Sequence, residues 1–220
     1  MELRRIGDGA KRGFKKFWFL LWKDNSFKGW LLSIVVLFVF IKFIFLPGLS
    51  LVTGTTLPLA IVESCSMYHQ GNFFSNFGTW FEKHETKYDD YGILNEDFSD
   101  FSMRRGFSKG DILFIVKANP DKLKVGDIIL FNSGNKGTPI IHRIVRIEGD
   151  ESKIFSTIGD NNAKMLTPNN NPSGIDESNI TESQLVGRAV VRLVPFAGWI
   201  KLIFFEAFRE ESDKGFCKEN

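Results

Sequence analysis

One segment constrains this chain before anything else: Gly29–Leu46, GWLLSIVVLFVFIKFIFL, 18 residues with a single charge at Lys42. A helix crossing the hydrocarbon core of a bilayer needs roughly 20 predominantly apolar residues, range about 17–25. Lys42 falls near the far end, where a long side chain can carry its ammonium to the interface. Pro47-Gly48 is expected to stop the helix, so the membrane helix is placed at residues 29–48, although apolar character continues through Leu49–Val62 and the span could run a little further or the chain lie along the interface. The rival reading, a cleaved signal peptide, needs a shorter apolar region of about 7–15 residues and a nearby small-residue cleavage site. A basic lead of 28 residues and a longer apolar run favour a retained span.

Charge supplies an orientation. Residues 1–28 carry eight Lys/Arg and three acids, a balance of +5, in a chain whose net charge is only +2. The rest is therefore mildly acidic, and no Lys or Arg occurs from Phe43 to Glu82. The positive-inside rule then puts residues 1–28 in the cytoplasm and everything after about residue 48 outside. Within the basic segment, Phe14, Phe17, Trp18, Leu21 and Trp22 keep helical spacing among cations. This fits a helix on the anionic inner surface or a plain helical lead-in. So balanced an overall charge gives no footprint for nucleic acid, and none is expected as a partner.

Beyond the span, residues 49–195 read as an extracytoplasmic, mainly β domain. Residues 70–108 form an inserted, mixed stretch: Phe73, Phe74, Phe77, Trp80 and Phe81 suggest a short amphipathic helix, and EKHETKYDD a surface loop. After it, Asp111–Lys117, Asp127–Asn132, Pro139–Ile147, Lys153–Ile158 and Leu185–Pro195 are short runs rich in Ile, Val, Leu and Phe. Turn-forming groups separate them: Lys109-Gly110, Asn119-Pro120-Asp121, Gly134–Gly137, Glu148-Gly149-Asp150 and Gly159–Asn162. Five short strands without intervening helices predict an antiparallel barrel or sandwich. Residues 196–220 are a membrane-proximal end, in which Phe196–Phe208 is too short to span and reads as an apolar helix against the domain or the membrane face.

The chain has 23 Phe against 3 Tyr and 5 Trp, a ratio suited to lipid or a dry core. Eight lie within residues 1–50, seven within 70–107 and eight beyond. The middle group marks the inserted stretch as apolar, fit for membrane contact or for a shelf under an apolar substrate helix.

Three features carry possible chemistry. Glu63-Ser64-Cys65-Ser66-Met67 offers Ser66 as a nucleophile, with the Ser64 hydroxyl and the Ser66 backbone N–H as oxyanion donors. The bland alternative is a polar turn. His142, one of three histidines, lies in an otherwise apolar strand beside Arg143 and suits a general base. It would equally suit a structural role. Asp160, in Gly159-Asp160-Asn161-Asn162, is either a β-turn residue or the acid that orients His142.

In this order and context the motifs resemble type I signal peptidase, of the archaeal and endoplasmic-reticulum branch in which His replaces the catalytic Lys. The matching pieces are Ser64–Met67, Lys109–Ile112, Gly126–Phe131, His142–Val145, Gly159–Asn162 and Val186–Pro195 with Gly198-Trp199. The resemblance implies a signal peptidase-like antiparallel β catalytic core with one N-terminal transmembrane helix and a short C-terminal apolar helix. It implies a membrane-bound serine endopeptidase that removes signal peptides from exported pre-proteins, in the cell membrane or the endoplasmic-reticulum membrane. Ser66 would be the nucleophile, His142 the general base and Asp160 the acid. Ser64, Met67, Ile141 and Arg143 would serve the oxyanion and substrate subsites. The substrate would bind as an added strand, with small side chains in shallow pockets. Implied partners are signal peptides of secretory pre-proteins, the lipid membrane and the translocation machinery; no metal or cofactor is implied.

The sequence departs from the family's pattern where a further Asp usually follows the Gly-Asp-Asn-Asn aspartate by about six residues. Met165-Leu166 stand there instead, which leaves Asp160, or Asp176 or Glu177 across a loop, or a Ser–His dyad. Cys65, next to Ser66, is an alternative nucleophile, although neighbouring residues point in different directions. Cys217, in a charged tail, reads as an unpaired surface thiol. Asn179-Ile180-Thr181 is a glycosylation sequon on the side expected to be outside. Two rival functions stay open: a membrane-tethered, non-catalytic β domain that binds peptides or partners, and a membrane-proximal protease of other specificity.

Overall fold

The computed structural model describes residues 15, 18–19, 22–24, 26–71, 77–134, 137–171, 174–209 and 214–219. It divides into two units, Met1–Val52 and Thr53–Asn220. In the first, one helix, α1, runs over Phe27–Thr53 and is long and apolar enough to cross a membrane. The Ser26 side chain caps it, accepting from Gly29 N.

The helix does not end at Pro47-Gly48. Proline has no N–H to give the carbonyl four residues back, and its ring crowds that carbonyl. The chain absorbs this in a π turn at Ile41–Phe45, where Leu46 N reaches back to Ile41 O, and then resumes α-helix over Leu46–Thr53. The stop comes at Gly54, whose φ of 68° is the left-handed turn that commonly ends a helix. At 27 residues the span exceeds the expected 29–48 at both ends. In the basic lead-in, Trp18 and Trp22 are helical and exposed, with ring centroids 5.9 Å apart. Phe14, Phe17 and Leu21 lie outside the described residues.

The second unit is built on one antiparallel sheet of seven strands in the order β1-β2-β7-β3-β4-β5-β6, curled as a half-barrel. The strands are β1 Leu59–Ile61, β2 Ile112–Val116, β3 Ile128–Phe131, β4 Ile140–Glu148, β5 Ile154–Ile158, β6 Ile180–Thr181 and β7 Leu185–Val194. The five apolar runs of the sequence are β2, β3, β4, β5 and β7. The short β1 and β6 are the two edges, where few residues form a ladder and little apolar pattern is needed. In the centre, β3 is buried along its whole length, with Ile128 facing Arg143 and Ile129 facing His142 of β4. Alternation gives the two faces different neighbours. Val145 and Ile158 join an aromatic cluster, while Ile129, Ile144 and Phe155 form another core with Ile180.

That aromatic cluster comes from the inserted stretch. Helix α2 (Phe77–Asp89) and helix α3 (Asn95–Ser99) bury Trp80, Phe81, Tyr88 and Phe98 against Val145 and Ile158. Each fully buried Phe stabilises by about 1.5–3 kcal/mol. The segment EKHETKYDD is thus mostly helix and not a surface loop. Trp80, Phe81, His84 and Tyr88 keep helical spacing, and the polar residues between them form the outer face. Phe81 and Phe98 lie in this dry core and are not a membrane or substrate shelf. Phe73 and Phe74 lie outside the described residues. The C-terminal helix, α4, is Trp199–Glu206.

Candidate functional site

The chain leaves the edge strand β1 still paired, with Val62 N donating to Asp111 O at 2.9 Å, and then turns sharply through Ser64–Met67. The turn is held from beneath by the Gly159–Asn162 segment. Asn161 N donates to Ser66 O at 2.7 Å, and Asn161 Nδ2 donates to Cys65 O at 3.1 Å. Gly159 is required there, because a Cβ would come within 2.7 Å of Ser66 O. Met67 is buried in the core, and its sulfur accepts from Asp160 N at 3.4 Å. The Ser66 hydroxyl is hydrogen-bonded to the Ser64 hydroxyl at 3.1 Å, and among the described residues it makes no hydrogen bond to His142.

Ser64, Ser66, Ile141 and His142 line one open cleft of about 750 Å³. His142 comes from β4 and is almost fully buried. The carboxylate against its ring is Glu177: Nδ1 of His142 meets Glu177 Oε1. Glu177 is wholly buried and its oxygens are well supplied with donors. Thr157 Oγ1 donates to Oε1 at 3.0 Å, and Leu166 N donates to Oε2 at 2.8 Å. Its backbone is fixed as well, by bonds to Thr157 N at 2.9 Å and Leu166 O at 2.8 Å. A carboxylate at Nδ1 keeps the proton on that nitrogen and leaves Nε2 as the basic lone pair.

Asp160 is engaged elsewhere. Its two oxygens accept from Arg143 Nε at 2.9 Å and Arg143 Nη2 at 2.7 Å, from Tyr88 Oη at 2.9 Å, and its remaining contact is His69 Nε2 at 2.9 Å. Burial by itself pushes this carboxyl up, but the Arg143 guanidinium and the His69 hydrogen bond outweigh it and hold Asp160 well below the usual carboxylate range. Burial pushes His69 down despite its bond to Asp160, and the ring is stacked on Trp80 with centroids 3.5 Å apart. Lys87 donates to the Asp160 and Asn162 carbonyls, and burial brings its ammonium down to about 8.

So the structure brings together Ser64, Ser66, Ile141, His142 and Glu177, and it separates others. Asp176 does not reach the histidine; its carboxylate accepts from Ser178 N at 2.9 Å and caps its own turn. Arg143 is fully buried under Asp160, with Phe98 4.7 Å from its guanidinium carbon, and does not line the cleft. Nor does Met67.

One feature of the site reverses a sequence expectation. Cys217 is not an unpaired surface thiol: it forms a disulfide with Cys65. Cys65 therefore has no thiol to offer as a nucleophile. With the partners 152 positions apart in the sequence, only folding reveals the pairing. The signal that could have suggested it is an even cysteine count in a domain that the charge asymmetry of the sequence expects outside the membrane. Glu63, not singled out in the sequence, accepts from Arg209 Nη1 at its carbonyl at 2.8 Å and from Lys201 Nζ at its side chain at 2.9 Å.

Fold and site together define a β domain that follows an apolar helix and carries a serine pair and a histidine on one cleft, with a buried carboxylate against the histidine. Comparison with known proteins agrees with the resemblance read from the motifs. No family model matches the chain. It is similar to the signal peptidase complex catalytic subunit SEC11 of Colletotrichum graminicola, with 32% identity over 113 residues, 48% of this chain and 60% of that protein. SEC11 of Pyricularia oryzae is 34% identical over 108 residues, with the same coverage of 48% and 60%. SEC11 of Lachancea thermotolerans is 43% identical over 65 residues, 28% of this chain and 38% of that protein. The chain thus has homologues among signal peptidase catalytic subunits, and it spans about three fifths of the length of the first two.

Proposed function

We propose that this protein is a membrane-bound serine endopeptidase that removes N-terminal signal peptides from exported pre-proteins. The observation that carries the reading is the buried Glu177 on His142 Nδ1, which prepares Nε2 as a base in the cleft that Ser66 lines. Ser66 Oγ attacks the scissile carbonyl carbon and its proton passes to His142 Nε2. Glu177 stabilises the imidazolium, and the Ser64 hydroxyl with the Ser66 N–H stabilises the oxyanion. His142 then gives the proton to the departing amine, and water, activated by the same nitrogen, hydrolyses the acyl-serine ester. The 3.1 Å bond between the two serine hydroxyls fits this division of labour. For attack, Ser66 exchanges it for a bond to His142, a tightening that catalytic contacts often undergo only with substrate bound. The peptide binds extended along the edge strand β1, with small side chains in the cleft.

Residues beyond the span lie on the outer or lumenal side. Two observations support this: the Lys/Arg asymmetry of the sequence and a disulfide, which persists in an oxidising compartment. The test is cleavage of a pre-protein by the full chain in lipid. Ser66→Ala and His142→Ala should each abolish it, and full activity in Ser66→Ala sinks the proposal. One observation favours a second reading, a tethered domain that binds peptides without cutting them: the Ser66 hydroxyl faces Ser64 rather than His142. Peptide binding with no cleavage by the wild-type chain would select it.

A further inference from the structure

The segment 214–219 stands apart from the catalytic residues yet is fastened to them. Cys217 is bonded to Cys65, the residue before Ser66. The Asn161 side-chain amide that holds Cys65 O also donates to Lys218 O at 2.9 Å. Gly215 N donates to Glu206 Oε1 at 2.6 Å, and Lys109 Nζ donates to Gly215 O at 3.3 Å. Lys214, Phe216 and Lys218 line the same cleft as Ser66 and His142. With the segment in place the cleft is still about 750 Å³, so the segment is a wall and not a plug. Phe216 touches the Trp199 ring, centroids 5.0 Å apart, and is otherwise 75% exposed. A large apolar ring left bare in the wall of the cleft that Ser66 also lines is a contact surface for an apolar side chain of the bound peptide.

We propose that residues 214–219 are a substrate-binding wall fastened by the Cys65–Cys217 disulfide, and that Phe216 is its specificity-determining side chain. This rests on the peptidase reading of the same cleft. The wall is also redox-releasable. A dithiol gives two electrons and two protons to the disulfide, becomes a cyclic disulfide itself, and leaves Cys65 and Cys217 as thiols. His142 and Glu177 are untouched by that exchange and Asn161 N still holds Ser66 O, so loosening the wall weakens substrate binding more than it slows the chemical step.

The experiment is steady-state cleavage of a pre-protein by the full chain in lipid vesicles. Phe216→Ala should raise KM about tenfold, the scale of one lost apolar contact, with kcat within about twofold. Dithiothreitol should raise the wild-type KM similarly. It should leave Cys65→Ser/Cys217→Ser, whose KM is already raised, unchanged. An unchanged KM in Phe216→Ala overturns the proposal, as does a fall in kcat alone or free thiols at both cysteines in non-reducing peptide mapping. Phe216→Ala keeps the disulfide and decides the matter even if reduction unfolds the domain. Ser66→Ala run in parallel separates the two ideas: if it is inactive while Phe216→Ala behaves as wild type, the wall fails and the peptidase stands.

Discussion

Replacing Glu177 by Gln is the most discriminating perturbation of the site. The side chain keeps its length and shape: with the amide oxygen at the Oε2 position the Leu166 N–H keeps its acceptor, and the Thr157 hydroxyl, which now donates to Oε1, turns to accept from the amide NH2. What is lost is the charge and the choice of histidine tautomer. Two unit charges about 4 Å apart interact by about 4 kcal/mol at an effective dielectric near 20. That is the scale of the support Glu177 gives the imidazolium, and it corresponds to about a thousandfold in rate. The amide NH2 can also donate to Nδ1 of His142, which moves the ring proton to Nε2 and removes the base. A wrong tautomer of this kind costs about 10⁴ in kcat where it has been engineered in a serine protease. Glu177→Gln should therefore lower kcat by about 10³–10⁴ with KM little changed and the melting temperature nearly that of wild type. Glu177→Ala would confuse the two effects, because each buried donor it orphans costs about 1–3 kcal/mol of stability. The assay is single-turnover cleavage of a pre-protein beside thermal unfolding of the same samples. A Glu177→Gln protein that cleaves within tenfold of the wild-type rate refutes the assignment of Glu177 as the acid.

Other outcomes follow from the same geometry. Asp160→Asn leaves the buried Arg143 guanidinium uncompensated and should cost about 3–5 kcal/mol, read as a large fall in the chemical-denaturation midpoint. His69 titrates lower in the folded state than its ordinary 6.5, so the unfolded chain binds the proton more readily. Its contribution to stability is therefore present above pH 6.5 and is lost as the pH falls below it; unfolding midpoints from pH 8 to 5 should show this slope, and His69→Gln should flatten it. Cys65→Ser/Cys217→Ser should lower unfolding stability by up to about 5 kcal/mol, the loop-closure scale for cysteines 152 residues apart, measured without reductant. Asn179 is exposed, so in cells that glycosylate lumenal proteins the chain should show a glycan-dependent gel shift that Asn179→Gln abolishes. No shift would contradict the proposed lumenal placement of the domain.

The sheet was legible wherever apolar runs met turn residues, and β2, β3, β4, β5 and β7 each appear within about a residue of the expected run. The edges were not, because β1 and β6 have only three and two residues and their pairing depends on distant partners. Pro47 misled for a local reason: a π turn lets a long apolar helix absorb a proline, and that remedy leaves no mark in composition. The polar half of α2 was hidden because residues on an outer helix face resemble loop residues. In the site, Ser64, Ser66 and His142 could be singled out from motif and residue type. The Cys65–Cys217 bond and the choice of acid depend on where the chain returns after long excursions, which sequence spacing does not encode.

The choice of acid follows from the pleat of a single strand. His142 and Arg143 are adjacent on β4, so their side chains leave opposite faces of the sheet. The partners confirm the split. Ile158, opposite Arg143, packs in the aromatic cluster of α2 and α3, whereas Thr157, opposite Ile144, supports Glu177 beneath His142. A carboxylate that neutralises Arg143 is thereby committed to the Arg143 face. Asp160 makes that bidentate pair, and its other contacts, Tyr88 and His69, complete its buried surroundings. It has no oxygen left for His142, and any shift toward the histidine would strand a buried guanidinium. On the peptidase reading the acid comes instead from a segment that passes the His142 face. The loop after β5 does so when it returns beside Thr157 and places Glu177 there. On the peptidase reading proposed above, Asp160 and Glu177 thus divide two tasks between the two sides of one strand: Asp160 holds the Ser66 turn through the segment it anchors, and Glu177 sets the proton on the histidine.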